Sequence, residues 1–196
     1  MKLADLLNRR QYSLRWFKKQ NEIVKYKPEG YNERGVYTLD EWTDYSCVGH
    51  FFSRKKLKME EYERVENDYI NCVMDIVRRV GIKYLSISFY GNDDSITVNG
   101  KTYKEGSRIK AENIIPVLRG NLRGEMDCVL VNVRRGIQID FGYDYYMHVV
   151  CPIPHDELAK IVSANHLYLN PRVVRPFWKL YDEQNYFLIR YIPRQQ

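Results

Sequence analysis

The stretch Tyr37–Tyr90, YTLDEWTDYSCVGHFFSRKKLKMEEYERVENDYINCVMDIVRRVGIKYLSISFY, decides the fold. In its second half Tyr62, Val65, Tyr69, Val73, Ile76 or Val77 and Val80 recur at steps of three and four, which places them on one face of a helix over about 59–80. Glu60, Glu61 and Glu63 load the start of this helix with acid, and Arg78 and Arg79 load its end with base. Both placements suit the helix dipole. Gly81 supplies the C-terminal stop. The period then changes from 3.6 to two, because Leu85, Ile87 and Phe89 alternate with Ser86, Ser88 and Tyr90. That alternation predicts a half-buried strand.

Downstream, Gly91–Asp94 marks a turn, and Asn99-Gly100 between alternating residues predicts a hairpin. Residues 111–119 predict a second helix kinked at Pro116. Met126–Val133 and Gly136–Val150 predict two strands; the second carries Phe141, Tyr143, Tyr145 and Met147 on one face. Pro154, followed by Asp156 and Glu157, opens a helix that runs to about Ala164. Phe177–Tyr181 and Tyr186–Tyr191 predict a terminal hairpin. Upstream, Ser13–Val24 has an amphipathic pattern, and Thr38–Trp42 predicts a short capped helical turn. The expected class is α+β: a mostly antiparallel sheet of hairpin-linked strands packed on a long central helix and shorter helices.

Charge divides the chain. Residues 1–30 hold eight Lys and Arg against three acids, a net +5 out of the whole protein's +6. They are expected to form a basic, partly helical segment ahead of a single α+β domain at 31–196. Residues 40–75 are acidic, with nine acids against five bases. No apolar run approaches the ~20 residues of a membrane span. The charged N-terminus lacks the apolar core of a secretory signal, so the cytoplasm is the expected location. Cys47, Cys72, Cys128 and Cys151 form no CxxC pair, and a reduced, apolar role is expected for Cys72 inside the helix.

Catalytic patterns are missing from the sequence: it has no HExxH, GxSxG, GxxxxGK or GxGxxG. His148, Cys151 and His155 have a metal-like spacing, but a structural zinc needs a fourth N or S ligand. No enzyme activity, metal or cofactor is expected. The segment Gln138–Val150 is rich in Tyr and Asp, which suits a core strand with an outward face available to a partner.

Three segments carry a family resemblance: WTDYSCVG (Trp42–Gly49), KMEEYERVENDYI (Lys58–Ile70) and GIKYLSI (Gly81–Ile87). With Gly142–Met147 they resemble bacterial immunity proteins, most closely those that protect cells carrying contact-dependent growth-inhibition toxins. The matching positions are Trp42, Ser46, Val48, Gly49, Leu57, Glu61, Tyr62, Val65, Glu66, Tyr69 and Ile70. Lys58 and Cys47 depart from the pattern, standing where a capping Thr and an acid are usual. The resemblance implies non-catalytic, one-to-one neutralisation of a cognate toxin's C-terminal domain in the cytoplasm. Asp40, Asp44, Glu60, Glu63, Asp144 and Tyr146 are the candidate partner contacts on the acidic side of the chain. The alternative is a nucleic-acid-associated domain that uses the basic N-terminal segment, whose affinity would fall steeply with salt.

Overall fold

A computed structural model describes residues 20–89, 95–98, 100–170, 177–181 and 187–191. Seven strands form one antiparallel sheet. They are β1 (Gln20–Val24), β4 (Tyr84–Phe89), β7 (Arg108–Lys110), β8 (Cys128–Asn132), β9 (Ile137–Phe141), β10 (Met147–Val150) and β11 (Tyr168–Leu169), in the order β11-β1-β10-β9-β8-β4-β7. Two-stranded hairpins are built from β2 (Phe51–Phe52) with β3 (Lys55–Lys56), β5 (Ser95–Val98) with β6 (Lys101–Lys104), and β12 (Phe177–Tyr181) with β13 (Phe187–Tyr191). Helices α1 (Met59–Val80), α2 (Ile115–Leu122) and α3 (His155–Ala164) complete the α+β fold.

The central helix follows its periodicity. Tyr62, Tyr69, Cys72, Val73 and Ile76 are fully buried, and Gly81 ends the helix in the left-handed region at φ 72°. These side chains share one core with the inner residues of the sheet, among them Ile23, Met147, Ile139, Leu130, Ile87 and Leu85. Part of the opposite sheet face is buried too: Glu22, Ser88, Val129, Asp140 and His148 are each under 8 % exposed. On β4 the alternation holds, with Leu85 and Ile87 buried against an exposed Tyr84 and a part-buried Ser86, and only Ser88 departs from it.

Several local expectations change. Gln20–Val24 is a strand, not the end of an amphipathic helix, and it lies between β11 and β10. The sheet therefore draws a strand from the segment that the charge count sets apart, and the domain starts well before residue 31. The rest of that segment, residues 1–19, falls outside the described residues, as does the expected turn at 91–94. Thr38–Trp42 is not helical; the turn forms three residues later at Tyr45–Cys47, where Asp44 is the cap. Pro116 does not kink a helix but sits in the first turn of α2, where its missing N–H costs nothing. Gly136–Val150 is not one strand. The chain reverses at residues 142–146, with Gly142 N–H donating to the Tyr146 carbonyl at 2.7 Å. The predicted hairpin forms between β5 and β6, with Gly100 at φ 74°.

Candidate interaction surface

Between β1 and α1 the chain makes a long excursion over one end of the molecule. Two small hairpins shape it. In the first, Tyr31 bridges Tyr37, and the Asn32 side chain accepts from the Arg34 and Val36 N–H groups, both at 3.0 Å. The second is β2–β3, extended by bonds from Gly49 N–H to the Leu57 carbonyl and from Leu57 N–H to the His50 carbonyl. Asp40 ties the two together: its carboxylate accepts from Ser53 N–H at 2.6 Å, and its carbonyl accepts from Ser53 Oγ at 3.1 Å.

An aromatic floor anchors the excursion. Trp42 is buried against Tyr62 and Tyr145, at ring distances of 5.7 and 5.5 Å. The Tyr62 and Tyr145 hydroxyls meet each other beside the Leu122 carbonyl. Lys25, at the end of β1, places its ammonium 4.1 Å from the Trp42 ring centre and 4.3 Å from that of Tyr26, with Glu41 at 2.9 Å. Burial lowers the Lys25 pKa, and the Glu41 carboxylate offsets part of that effect.

The turn after β9 belongs to the same end. Asp144 and Tyr145 both take positive φ, at 57° and 61°, which is unfavourable for residues with a side chain. Two remote hydroxyls hold them there. Tyr26 donates to the Asp144 carbonyl at 2.8 Å, and Tyr69 donates to the Tyr145 carbonyl at 2.6 Å. Beside this turn Tyr146 joins a cluster with Tyr26, Tyr31 and Tyr37. Burial pushes the Tyr37 phenol up to about 12.

The six candidate contacts have different roles. Asp40 buckles the two hairpins together. Asp44 accepts from the N–H and Oγ of Ser46, at 2.7 and 2.5 Å, and these bonds hold its carboxyl below the usual range despite partial burial. Glu63 lies 3.8 Å from Arg123, and Glu60 is exposed in the first turn of α1. Asp144 is exposed at the strained turn, and Tyr146 is part-buried in the tyrosine cluster.

The sequence reading missed the apolar side of this surface. Among the described residues five large apolar side chains stand exposed, and four of them lie between Val36 and Met59: Val36 at 57 %, Leu39 at 59 %, Phe51 at 70 % and Met59 at 37 %. Neither composition nor periodicity sets them apart from the apolar residues that are buried.

A second charged cluster lies inside the sheet. Register aligns Glu22, His148 and Asp140 across β1, β10 and β9. His148 reaches Asp140 at 2.9 Å through Nδ1 and Glu22 at 3.3 Å through Nε2. Asn170 donates to Glu22 and Gln138 donates to Asp140. Burial opposes the charged imidazolium, but the two carboxylates outweigh it and raise the His148 pKa to about 9. The cluster holds three strands in register. Cys151 and His155 do not form a metal site with His148: no group of three His, Cys, Asp or Glu among the described residues is set to hold a metal. Nor is any helix among them long and apolar enough to cross a membrane.

Compared with protein-family models, curated proteins and solved structures, the chain matches none.

Proposed function

We propose that this protein is an immunity protein: a non-catalytic module that binds a cognate toxin domain one-to-one and neutralises it in the cytoplasm of the producing cell. The observation that carries the reading is that, of the five large apolar side chains exposed among the described residues, Val36, Leu39 and Phe51 lie on the excursion and Met59 directly after it. Apolar side chains gathered on one surface are the usual mark of a protein-binding site. Scaffold and surface divide the work. Trp42, Tyr62, Tyr69 and Tyr145, which carry much of the family resemblance, are buried and hold the excursion in place. The side chains available to a partner fall between and around those motif residues. This division lets related proteins keep one fold while recognising different toxins.

The test is co-expression with the toxin encoded directly upstream. The wild-type chain should restore growth and form a one-to-one complex with the toxin's C-terminal domain, at nanomolar affinity or tighter. Cells that die despite soluble, folded protein would overturn the proposal.

A further inference from the structure

Resting on that reading, we infer that the β2–β3 hairpin is a preformed finger that docks into an acidic, apolar-floored pocket of the toxin domain. Phe51 is its anchor and Arg54 and Lys56 are its steering charges. Residues 50–58, HFFSRKKLK, hold four cations and no acid. Lys55 is paired with Glu61 at 2.6 Å. Arg54, Lys56 and Lys58 are exposed and form no ion pair among the described residues. Of the acids expected to meet the partner, Asp40 and Asp44 are engaged by hydrogen bonds within the chain; nearby Glu41, outside that set, is paired with Lys25. On the hairpin that carries Phe51, the most exposed large apolar side chain among the described residues, the charge left for a partner is positive. An exposed aromatic ring on a hairpin with unpaired cations matches an apolar pocket with a carboxylate rim.

The turn geometry argues that the finger is built for a purpose. Its two-residue loop, Ser53-Arg54, takes φ of 47° and 68°. Positive φ at both central positions is the requirement of a type I′ turn, for which Asn-Gly is the favoured pair. Here an arginine occupies the position where glycine is least strained. Unfavourable backbone of this kind persists where the surroundings impose it and clusters at functional sites. Asp40 imposes it through both of its bonds to Ser53. A finger fixed in advance loses less conformational freedom on binding.

The test measures association and dissociation of the full chain with the C-terminal domain of the upstream toxin, at about 50 mM and about 500 mM salt, where screening differs several-fold. Phe51→Ala should raise the dissociation rate about tenfold or more, as loss of an interface anchor does. The double variant Arg54→Glu, Lys56→Glu should slow association about tenfold at low salt, and the deficit should shrink at high salt. Arg54→Gly separates contact from scaffold: it should melt at or above the wild-type temperature, because the strain is relieved, yet associate more slowly. A complex whose rates are unchanged in all three variants would overturn the finger and leave the immunity reading intact. If wild-type protein forms no complex, both fall. A single-stranded oligonucleotide retained by the wild type and released by the same variants would reassign the finger to nucleic acid and overturn the inference.

Discussion

His148 shows how one side chain ties sequence-distant segments into a pH-dependent whole. It stands between Glu22 and Asp140 on three neighbouring strands, and its side chain is 9 % exposed. Its folded pKa of about 9 lies above the ordinary value of 6.5. A group whose pKa is raised by folding lends its full stabilisation below the unfolded value and loses it as pH rises through the folded one. Stability should therefore fall between about pH 6.5 and pH 9, by roughly 2–3 kcal/mol. Urea denaturation at pH 6, 8 and 9.5 measures this. His148→Gln should start less stable and lose the slope; a variant that keeps the wild-type slope would place its origin elsewhere. Val73 poses a simpler case. It is fully buried on α1, so Val73→Asp places a charge without a partner in the core and should abolish the cooperative melt. A native melting transition in that variant would contradict the packing described for α1.

At the scale of elements, α1 is joined to α2 by a buried ionic clamp. Glu66 is 1 % exposed and accepts from Arg119 at 3.0 Å and from Arg123 at 2.6 and 2.9 Å. Removing one partner of a buried pair leaves the other uncompensated, which typically costs about 3–5 kcal/mol. Glu66→Ala leaves two guanidinium groups on part-exposed side chains, 41 % and 22 %, so it should lower the unfolding free energy by less, about 2 kcal/mol, measured by urea titration. Arg123→Ala should cost more than Arg119→Ala, because the Arg119 side chain is the more exposed, 41 % against 22 %. Equal costs would mean that burial does not set the strength of the clamp. The elements also differ in how far sequence reveals them. The helix α1 and the Asn99-Gly100 hairpin were readable because periodicity and turn chemistry act over a few residues. The reversal at 142–146 was hidden because Phe141, Tyr143, Tyr145 and Met147 continue a period of two through it. The bonds that stabilise it come from Tyr26 and Tyr69, 118 and 76 positions away. The exposure of Phe51 was equally hidden, because the pair Phe51-Phe52 reads the same whichever ring faces solvent. The five acids and one tyrosine singled out as candidate contacts were chosen from charge and pattern alone. Their internal hydrogen bonds could be seen only in three dimensions.

For the whole molecule the decisive fact is where the chain begins to fold. Net charge separates residues 1–30 from the rest, and local pattern cannot tell whether Ile23 and Val24 belong to a helix or to a strand. The answer depends on partners more than 120 residues away, because Asn21 aligns with Val149 and Ile23 with both Met147 and Leu169. Strand β1 is internal to the sheet: it satisfies one edge of β10 and one edge of β11, buries Ile23 completely, and brings Glu22 to His148. It also carries Lys25 and Tyr26 to the aromatic floor and the strained turn. A chain beginning at Tyr31 would lose all of these together. Its β10 edge would be left unpaired, a template for association with other chains. Such a chain should show no cooperative thermal transition by circular dichroism and should aggregate on concentration, whereas a chain beginning just ahead of Gln20 should melt cooperatively. The comparison separates a fold that is closed by its N-terminal strand from one to which a basic arm is merely attached. If the Tyr31 chain melted at the same temperature as the longer one, β1 would be an accessory strand, and the excursion it anchors would have to be held by Trp42 and Tyr62 alone.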